Sequence, residues 1–264
     1  MPEGDTVWRT AHHLDKALTG KVLVETDFRV PAHATLDLSG RTVEGTVARG
    51  KHLLTRIGPD HTLHTHLKME GSWHLYQPGT PWRRPAHEAR VVLRTEDWTA
   101  VGFALGVTEV VARAEEDSVV GHLGPDLLGP DWDEDEALRR LRADPGRPLI
   151  EALLDQRLLA GIGNLYANEL CFLAGAHPRL PVGEVADLPR LVRRARSALE
   201  ANKLRVEQTL TGDTRRGHQT WVYRRDRQPC RRCGTRIQVA ELGPAGKERA
   251  TYWCPSCQPP PPPR

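Results

Sequence analysis

The chain has 264 residues, 39% of them hydrophobic and 27% charged, a length and composition that suit one large or two ordinary globular domains. A net charge of +3 does not by itself indicate a nucleic-acid partner, and no apolar run approaches the length of a transmembrane helix. The opening segment MPEGDTVW is acidic and lacks the basic region of a secretory signal. These features predict a protein of the reducing cytoplasm.

Charge is unevenly distributed in the C-terminal half. Eight arginines fall between Arg215 and Arg236, where Asp226 is the one acidic residue, whereas acidic residues gather at 131–136. Such a separation of charge predicts an anionic partner that contacts one side of this half of the chain.

The first residues predict a helix that begins beside a reactive amine. Residues 6–18 place their apolar side chains on one face, and Gly20 ends the helix. Removal of Met1 would leave Pro2 as a secondary amine, and the reference pKa of an α-amino group is only about 7.7–8. Such an amine attacks aldehyde carbons and forms an iminium, while the carboxylate of Glu3 can move protons. The plainer alternative is that these residues only cap the helix.

Short strands predict a β-sandwich or flattened barrel between residues 21 and 112. The strand segments are 22–30, 42–48, 52–57, 62–67, 90–93, 100–103 and 109–111. At the tip of one hairpin, Lys51 can contact a phosphate or belong to an ordinary charged turn. His64 and His66 alternate on one strand without a third ligand at metal-binding spacing, so we expect a hydrogen-bonded pair. Met69, in the next loop, is either a wedge for a base stack or a core residue.

The second half predicts helices after a linker that contains two Gly-Pro steps. Helical segments follow at 133–142, 148–156, 165–173 and 188–205. In the turn GIGN, the glycines let the backbone approach a ligand, and Asn164 either binds a phosphate or caps the next helix. Cys171 is expected to be a buried apolar side chain.

Four of the five cysteines predict a structural zinc site. They form two CxxC pairs, Cys230/Cys233 and Cys254/Cys257, that twenty residues separate. Four thiolates leave no open position on Zn²⁺, so the ion would be structural and not catalytic. Two disulfides are the alternative, which the absence of a secretory signal disfavours. Basic side chains on the intervening ribbon, Arg249 among them, suit phosphate contact.

Five segments, taken in order, resemble one known family. They are PEG after the first Met, RGKHLL, HLKMEGSW, LLDQRLLAGIGNLYANEL and the ending RATYWCPSCQ. Together they resemble the formamidopyrimidine-DNA glycosylase/endonuclease VIII family of DNA repair enzymes, over essentially the whole chain except the proline tail. The segments MPEGDT and RATYWCPSC are more similar to the endonuclease VIII branch, which favours oxidised pyrimidines.

The residues and the resemblance together predict an α+β fold. We expect a catalytic β-sandwich domain with a leading helix at 1–115 and a linker at 116–131. A helical domain with a helix–two-turn–helix motif should follow at 132–220, a four-Cys zinc finger at 221–258 and a proline-rich tail at 259–264.

The resemblance implies a bifunctional DNA glycosylase and abasic-site lyase of base excision repair. Pro2 would be the nucleophile that attacks C1′, Glu3 would be the acid/base that opens the sugar ring, and Lys51 would contact phosphate and assist the eliminations. The implied partner is damaged double-stranded DNA. A monomer with one structural zinc ion, no small-molecule cofactor and no membrane contact is expected in the cytoplasm, associated with the nucleoid.

The resemblance also implies three residues that contact DNA without taking part in the chemistry. Asn164 and Arg249 would hold the phosphates that flank the lesion, and Met69 would fill the gap left by the flipped base.

One departure from the family pattern bears on the substrate. The purine-directed branch carries void-filling Arg and Phe residues on a loop close to PRRFG, whereas this chain has FALGVT at 103–108. The difference supports the pyrimidine branch. The alternatives are a formamidopyrimidine/8-oxoguanine glycosylase and a DNA-binding paralogue without catalytic activity.

Overall fold

The computed structural model describes residues 2–261, so Met1 and the last three residues of the proline tail lie outside the described part of the chain. The chain divides into two compact units, Met1–His122 and Leu123–Arg264. The division falls inside the segment 116–131. No helix in the described range is long and apolar enough to cross a membrane.

The first unit begins with helix α1 (Gly4–Leu18), which starts two residues earlier than the apolar pattern predicts. Its buried face includes Val7 and Leu14 and packs against the sheets described next. Glu3 holds the preceding position with an extended backbone, and Gly20 follows the helix at a φ of +78°.

Eight strands form two four-stranded antiparallel sheets in the first unit. In spatial order, one sheet contains β2 (Val43–Arg49), β3 (His52–Ile57), β4 (His61–His66) and β8 (Val107–Ala112). The other contains β1 (Glu25–Phe28), β6 (Ala89–Arg94), β7 (Thr99–Phe103) and β5 (Ser72–Tyr76). Leu63 and Leu93, one from each sheet, share a core with α1. This arrangement confirms the predicted β-sandwich with a leading helix.

The sequence pattern does not predict strand β5. The strand is five residues long, lies at the edge of its sheet and follows Gly71. Trp73 and Leu75 pack on the core, while Ser72 and His74 hydrogen-bond to each other at 3.1 Å. The alternation of apolar Trp73 and Leu75 with polar Ser72 and His74 is the signal that sequence reasoning missed.

The segment 116–131 begins with a helix rather than a loop. Helix α2 (Glu116–Val120) is tied to the first sheet because the Glu116 carboxylate accepts hydrogen bonds from Arg56 and Thr62. The Arg56 bonds hold the pKa of Glu116 below its usual value. This part of the predicted linker is therefore anchored in the first unit.

The second unit contains four longer helices and one hairpin. They are α3 (Glu134–Arg142), α4 (Leu149–Leu154), α5 (Asn164–Leu173), α6 (Leu188–Asn202), β9 (Gln238–Leu242) and β10 (Arg249–Trp253). Asp133 and Asp187 cap α3 and α6 with their carboxylates. All four predicted helices are present, with different ends. Helix α6 stops at Asn202 because that side chain donates to the Thr209 carbonyl and accepts the Thr209 N–H, both at 2.9 Å.

Glu169 of α5 joins this helix to the start of the finger. Its side chain is wholly buried, and the carboxylate accepts the backbone N–H groups of residues 221–223 at 2.7–2.9 Å. Burial raises the pKa of Glu169, and the three N–H groups act in the opposite direction. Since the segment 221–223 leads into the first CxxC pair, α5 fixes where the finger begins.

Replacing this acceptor should destabilise the second unit. In Glu169→Leu, three N–H groups lose their partner, and each unsatisfied buried donor costs about 1–3 kcal/mol. We expect the free energy of unfolding, measured by chemical denaturation, to fall by at least about 3 kcal/mol. Glu169→Gln keeps one acceptor oxygen and should lose less; equal losses in the two variants would contradict this account.

Candidate functional site

The start of α1 places a buried carboxylate beside Pro2. Glu3 has no exposed surface, and its carbonyl accepts the Val7 N–H at 3.0 Å, which begins the helical bonding. Asp5 in the first turn is also buried. Negative charge is stabilised at a helix N-terminus because the backbone N–H groups there point outward. Pro2 itself is half-buried.

The hairpin between β2 and β3 carries Lys51 at its tip. Arg49 and His52 are paired across the hairpin, so Gly50 and Lys51 form a two-residue turn. Gly50 has a φ of +57°, which a glycine adopts without strain. A two-residue turn leaves its backbone little freedom, and the backbone of Lys51 is therefore held at a fixed point relative to both strands.

Met69 lies on a tight turn after β4. Its side chain is 58% exposed, so the core interpretation is wrong. The turn is closed by the Gly71 N–H, which donates to the Leu67 carbonyl at 2.9 Å, and a Cβ at position 71 would overlap that carbonyl. Lys68 has a φ of +51° in the left-handed region. The structure thus presents Met69 outward on a constrained backbone.

The connection between β7 and β8 is a three-residue turn, 104–106. Gly106 donates its N–H to the His66 carbonyl at 2.9 Å, and a Cβ there would overlap the Lys68 side chain. Ala104 has a φ of +46° and donates its N–H to the Glu88 carbonyl. The segment that departs from the purine-directed pattern is therefore compact and packed against the Met69 turn.

His64 and His66 of β4 are each hydrogen-bonded, as the sequence pattern predicts. His64 contacts the ring of His52 at 2.7 Å and the carboxylate of Glu109 at 2.6 Å. His66 accepts the Lys68 N–H at 2.9 Å. Sequence reasoning missed Glu109, whose alternating position on β8 gives no separate signal.

Asn164 is the first residue of α5 and not its cap. Gly163 holds the N-cap position, and no side chain caps the helix there. The capping interpretation is therefore wrong. Instead, the Asn164 amide nitrogen donates to the Ala250 carbonyl on β10 at 2.9 Å. Arg249, which is exposed, immediately precedes Ala250, so the structure brings these two predicted DNA-contacting residues together in the second unit.

Asn168, which sequence reasoning missed, completes the connection between α5 and β10. Its amide nitrogen donates to the carbonyl and side-chain oxygens of Asn164 at 2.7 and 3.2 Å. Its side-chain oxygen accepts the Tyr252 N–H at 2.5 Å. The available signal is an amide four residues after Asn164, since positions i and i+4 share a helix face.

The four cysteines of the finger converge. Their sulfur atoms all lie within 4.8 Å of one another, with Cys230–Cys257 at 4.0 Å and Cys233–Cys254 at 3.4 Å. All are free thiols, so the disulfide alternative is wrong. Tetrahedral ligands about 2.3 Å from a zinc ion are about 3.8 Å apart, which these separations approach. Hydrogen bonds from Thr235 lower the pKa of Cys233 to about 6, whereas burial raises the pKa of Cys254 and raises that of Cys257 to about 12.

Two family models match the chain. The formamidopyrimidine-DNA glycosylase N-terminal domain matches residues 1–104, and the formamidopyrimidine-DNA glycosylase H2TH domain matches residues 123–206. The chain therefore belongs to the formamidopyrimidine-DNA glycosylase family.

Curated relatives align along nearly the whole chain. "Probable endonuclease 8 2" of Streptomyces coelicolor is 57% identical over 267 residues, which cover 100% of this chain and 96% of that protein. "DNA-(apurinic or apyrimidinic site) lyase Nei2" of Mycolicibacterium smegmatis is 52% identical and covers 98% of this chain and 99% of its own length. A "Formamidopyrimidine-DNA glycosylase" of Methylococcus capsulatus is 33% identical over 98% of this chain and all of its own. These identities agree with a resemblance to the endonuclease VIII branch.

Solved structures share the fold. Lactococcus lactis formamidopyrimidine-DNA glycosylase, bound to DNA with an abasic site, superposes with a TM-score of 0.79 at 24% identity. The match covers 98% of this chain and 100% of that one. At this level of identity the likeness establishes the architecture, in agreement with the α+β fold predicted from sequence.

The link between α5 and β10 can be tested without DNA. In Asn168→Ala, the Tyr252 N–H loses its buried acceptor and β10 loses one of its two bonds to α5. We expect amide hydrogen exchange at Tyr252 to accelerate by roughly tenfold or more, since a lost hydrogen bond is worth about 1–1.5 kcal/mol. Asn202→Ala, which removes a different buried amide, is the control; unchanged exchange at Tyr252 in Asn168→Ala would refute the link.

Proposed function

We propose that the chain is a bifunctional enzyme of base excision repair, which removes oxidised pyrimidines from duplex DNA and cleaves the strand at the abasic site. The observation that carries the proposal is the buried carboxylate of Glu3 next to Pro2 at the start of α1. Membership of the glycosylase family supports the same activity, as does a 52% identical relative that is named as an abasic-site lyase.

The chemistry begins with the Pro2 nitrogen, once removal of Met1 has made it an amine. It attacks C1′ of the damaged nucleotide, the bond from C1′ to the base breaks, and the base leaves with a proton. Glu3 supplies a proton to the ring oxygen, so the sugar opens as an iminium. The iminium acidifies the C2′ proton. Loss of that proton expels the 3′ phosphate, and a second elimination releases the sugar from the 5′ phosphate.

Lys51 contacts phosphate and assists these eliminations in the proposed mechanism. Its place on a two-residue turn supports this role, because a lysine held on a fixed backbone loses less conformational freedom when it engages DNA.

Binding must offset the cost of extruding the nucleotide, which is a few kcal/mol and lowest for damaged bases. We assign phosphate contacts to Asn164 and Arg249, which are connected through Ala250. Met69, exposed on its tight turn, fills the space that the base vacates. The short turn at 104–106 supports a pyrimidine substrate over a purine one, because it carries no void-filling Arg and Phe.

The finger is proposed to hold one structural Zn²⁺ on Cys230, Cys233, Cys254 and Cys257. With four thiolates the ion would have no open position, so its contribution would be to hold the finger folded. Duplex DNA is the proposed partner of a monomeric protein that needs no small-molecule cofactor and works in the cytoplasm at the nucleoid.

Borohydride trapping tests the enzymatic proposal. Reduction of the iminium should give a covalent adduct, visible on a denaturing gel, with duplexes that carry dihydrouracil or an abasic site, and little adduct with 8-oxoguanine. Extending the chain ahead of Pro2 turns its nitrogen into an unreactive amide and should abolish trapping while duplex binding persists. Glu3→Gln should abolish excision. Adduct formation by the extended protein would refute Pro2 as nucleophile, and trapping chiefly with 8-oxoguanine would move the protein to the purine branch.

Removal of a single thiolate tests the metal proposal. Cys254→Ser should lose stoichiometric zinc, measured by plasma emission spectrometry, and should lower the melting temperature because metal binding contributes to folding. Cys171→Ser is the matched control, since Cys171 lies buried in α5 and outside the cluster. Full zinc content in Cys254→Ser would contradict the four-thiolate site.

A further inference from the structure

Four titratable side chains gather on one face of the sheet beneath Lys51. In the strand register, His64 of β4 lies opposite Glu109 of β8, and His66 of β4 lies opposite His52 of β3. The rings of His52 and His64 stack with centroids 4.9 Å apart, and those of His52 and His66 meet edge to face at 5.0 Å. This arrangement is set by the backbone of three paired strands and is therefore rigid.

The hydrogen bonds define a chain with one direction. The carboxylate of Glu109 can only accept, so His64 donates to it from Nδ1 at 2.6 Å. Nε2 of His64 lies 2.7 Å from Nδ1 of His52, which places His52 to donate the next hydrogen bond. The same logic puts the proton of His66 on Nε2, because its Nδ1 accepts the Lys68 N–H.

The surroundings keep the rings of His52 and His66 neutral. Burial and the neighbouring His66, His64, His122 and Lys68 lower the pKa of His52 to about 3. Burial, Lys68, Lys51 and His64 lower the pKa of His66 to about 4. A proton added to His66 would displace the Lys68 N–H from Nδ1, and one added to His52 would place a second positive charge beside Lys51.

These histidines adjoin two segments of the proposed DNA contact. His52 directly follows Lys51 and closes its two-residue turn, while His66 binds the backbone of Lys68 at the start of the Met69 turn. We propose that Glu109, His64 and His52 form a hydrogen-bonded chain, in which each histidine donates from Nδ1, and that this chain positions Lys51 for the elimination steps. This inference rests on the proposed function and makes His64 and Glu109 positioning residues.

Nitrogen-15 NMR of the histidine rings in the full-length protein tests the chain itself. At pH 7, His64 and His52 should carry their proton on Nδ1 and His66 on Nε2, with no titration of His52 or His66 between pH 5 and 8. Free histidine prefers the proton on Nε2, so the result is specific to the chain. The proposal would be overturned by a doubly protonated His64 or by a ring proton on Nε2 of His64 or His52. A titration midpoint near 6.5 for His52 or His66 would also overturn it.

Two substitutions at one position test what the chain does. His64→Phe keeps a stacked ring but neither hydrogen bond, and we expect the single-turnover elimination rate on a saturating abasic duplex to fall roughly tenfold to a hundredfold. His64→Gln can donate to Glu109 and accept from His52, so it should retain a rate within about threefold of the parent. Equal loss in both variants, or no loss in His64→Phe, would overturn the positioning role.

The two measurements separate this inference from the proposed function. Failure of the parent protein to form any borohydride adduct would refute the enzyme, and the positioning role would fall with it. The NMR experiment would still establish whether the hydrogen-bonded chain exists. If His64→Phe does not fold, the comparison of His64→Gln with Glu109→Leu replaces it, because Glu109 is partly exposed and its removal leaves the packing of β8 intact.

Discussion

Three buried polar side chains of α5 hydrogen-bond to the backbone of the C-terminal segment, and the second unit is built around those bonds. Asn164, Asn168 and Glu169 are all buried, and each directs hydrogen bonds at backbone groups of β10 or of the segment 221–223. Buried polar groups without partners are costly, so the finger has one position against this helix in which the bonds close. The cysteine cluster is thereby placed on a fixed base.

In the first unit, short turns at the ends of strands constrain the candidate residues. Lys51 and Met69 each leave the sandwich through a turn too short to move independently, and the histidines of β3 and β4 fill the space beneath them. The start of α1, which carries the proposed nucleophile, is fixed differently, by burial of Glu3 at the first turn of a helix whose apolar face is part of the core. In both units the residues proposed to act on DNA lie on elements whose backbone is already constrained, which is the arrangement that precise chemistry requires.

Much of this could be predicted from the sequence, for reasons that differ between elements. The convergence of the four cysteines was predictable because two CxxC pairs lie a short distance apart in the sequence. Helix α3 was predictable because the spacing of its apolar residues and the cap at Asp133 are local features of the sequence. Strand β5 was not predicted, although Trp73 and Leu75 alternate with polar residues along it. The partners of Asn164 and His64 were not predictable either, because each bond joins residues far apart in the sequence, at separations of 86 and 45 positions. Capping by Asn164 and metal binding by His64 were the interpretations that the local sequence allowed. The hydrogen bonds that these side chains make are tertiary.

The chemistry of the exposed Met69 side chain limits which bases it could distinguish in the proposed repair reaction. A thioether is at best a weak hydrogen-bond acceptor and has no donor, so in its proposed role Met69 would contact a neighbouring base through shape and dispersion alone. The side chains of residues 104–106, in the turn packed against Lys68, also carry no hydrogen-bond donor or acceptor. A methionine wedge would therefore support the duplex without itself distinguishing guanine from adenine on the undamaged strand. In the proposed mechanism, these two turns would leave discrimination to the contacts that the extruded nucleotide makes.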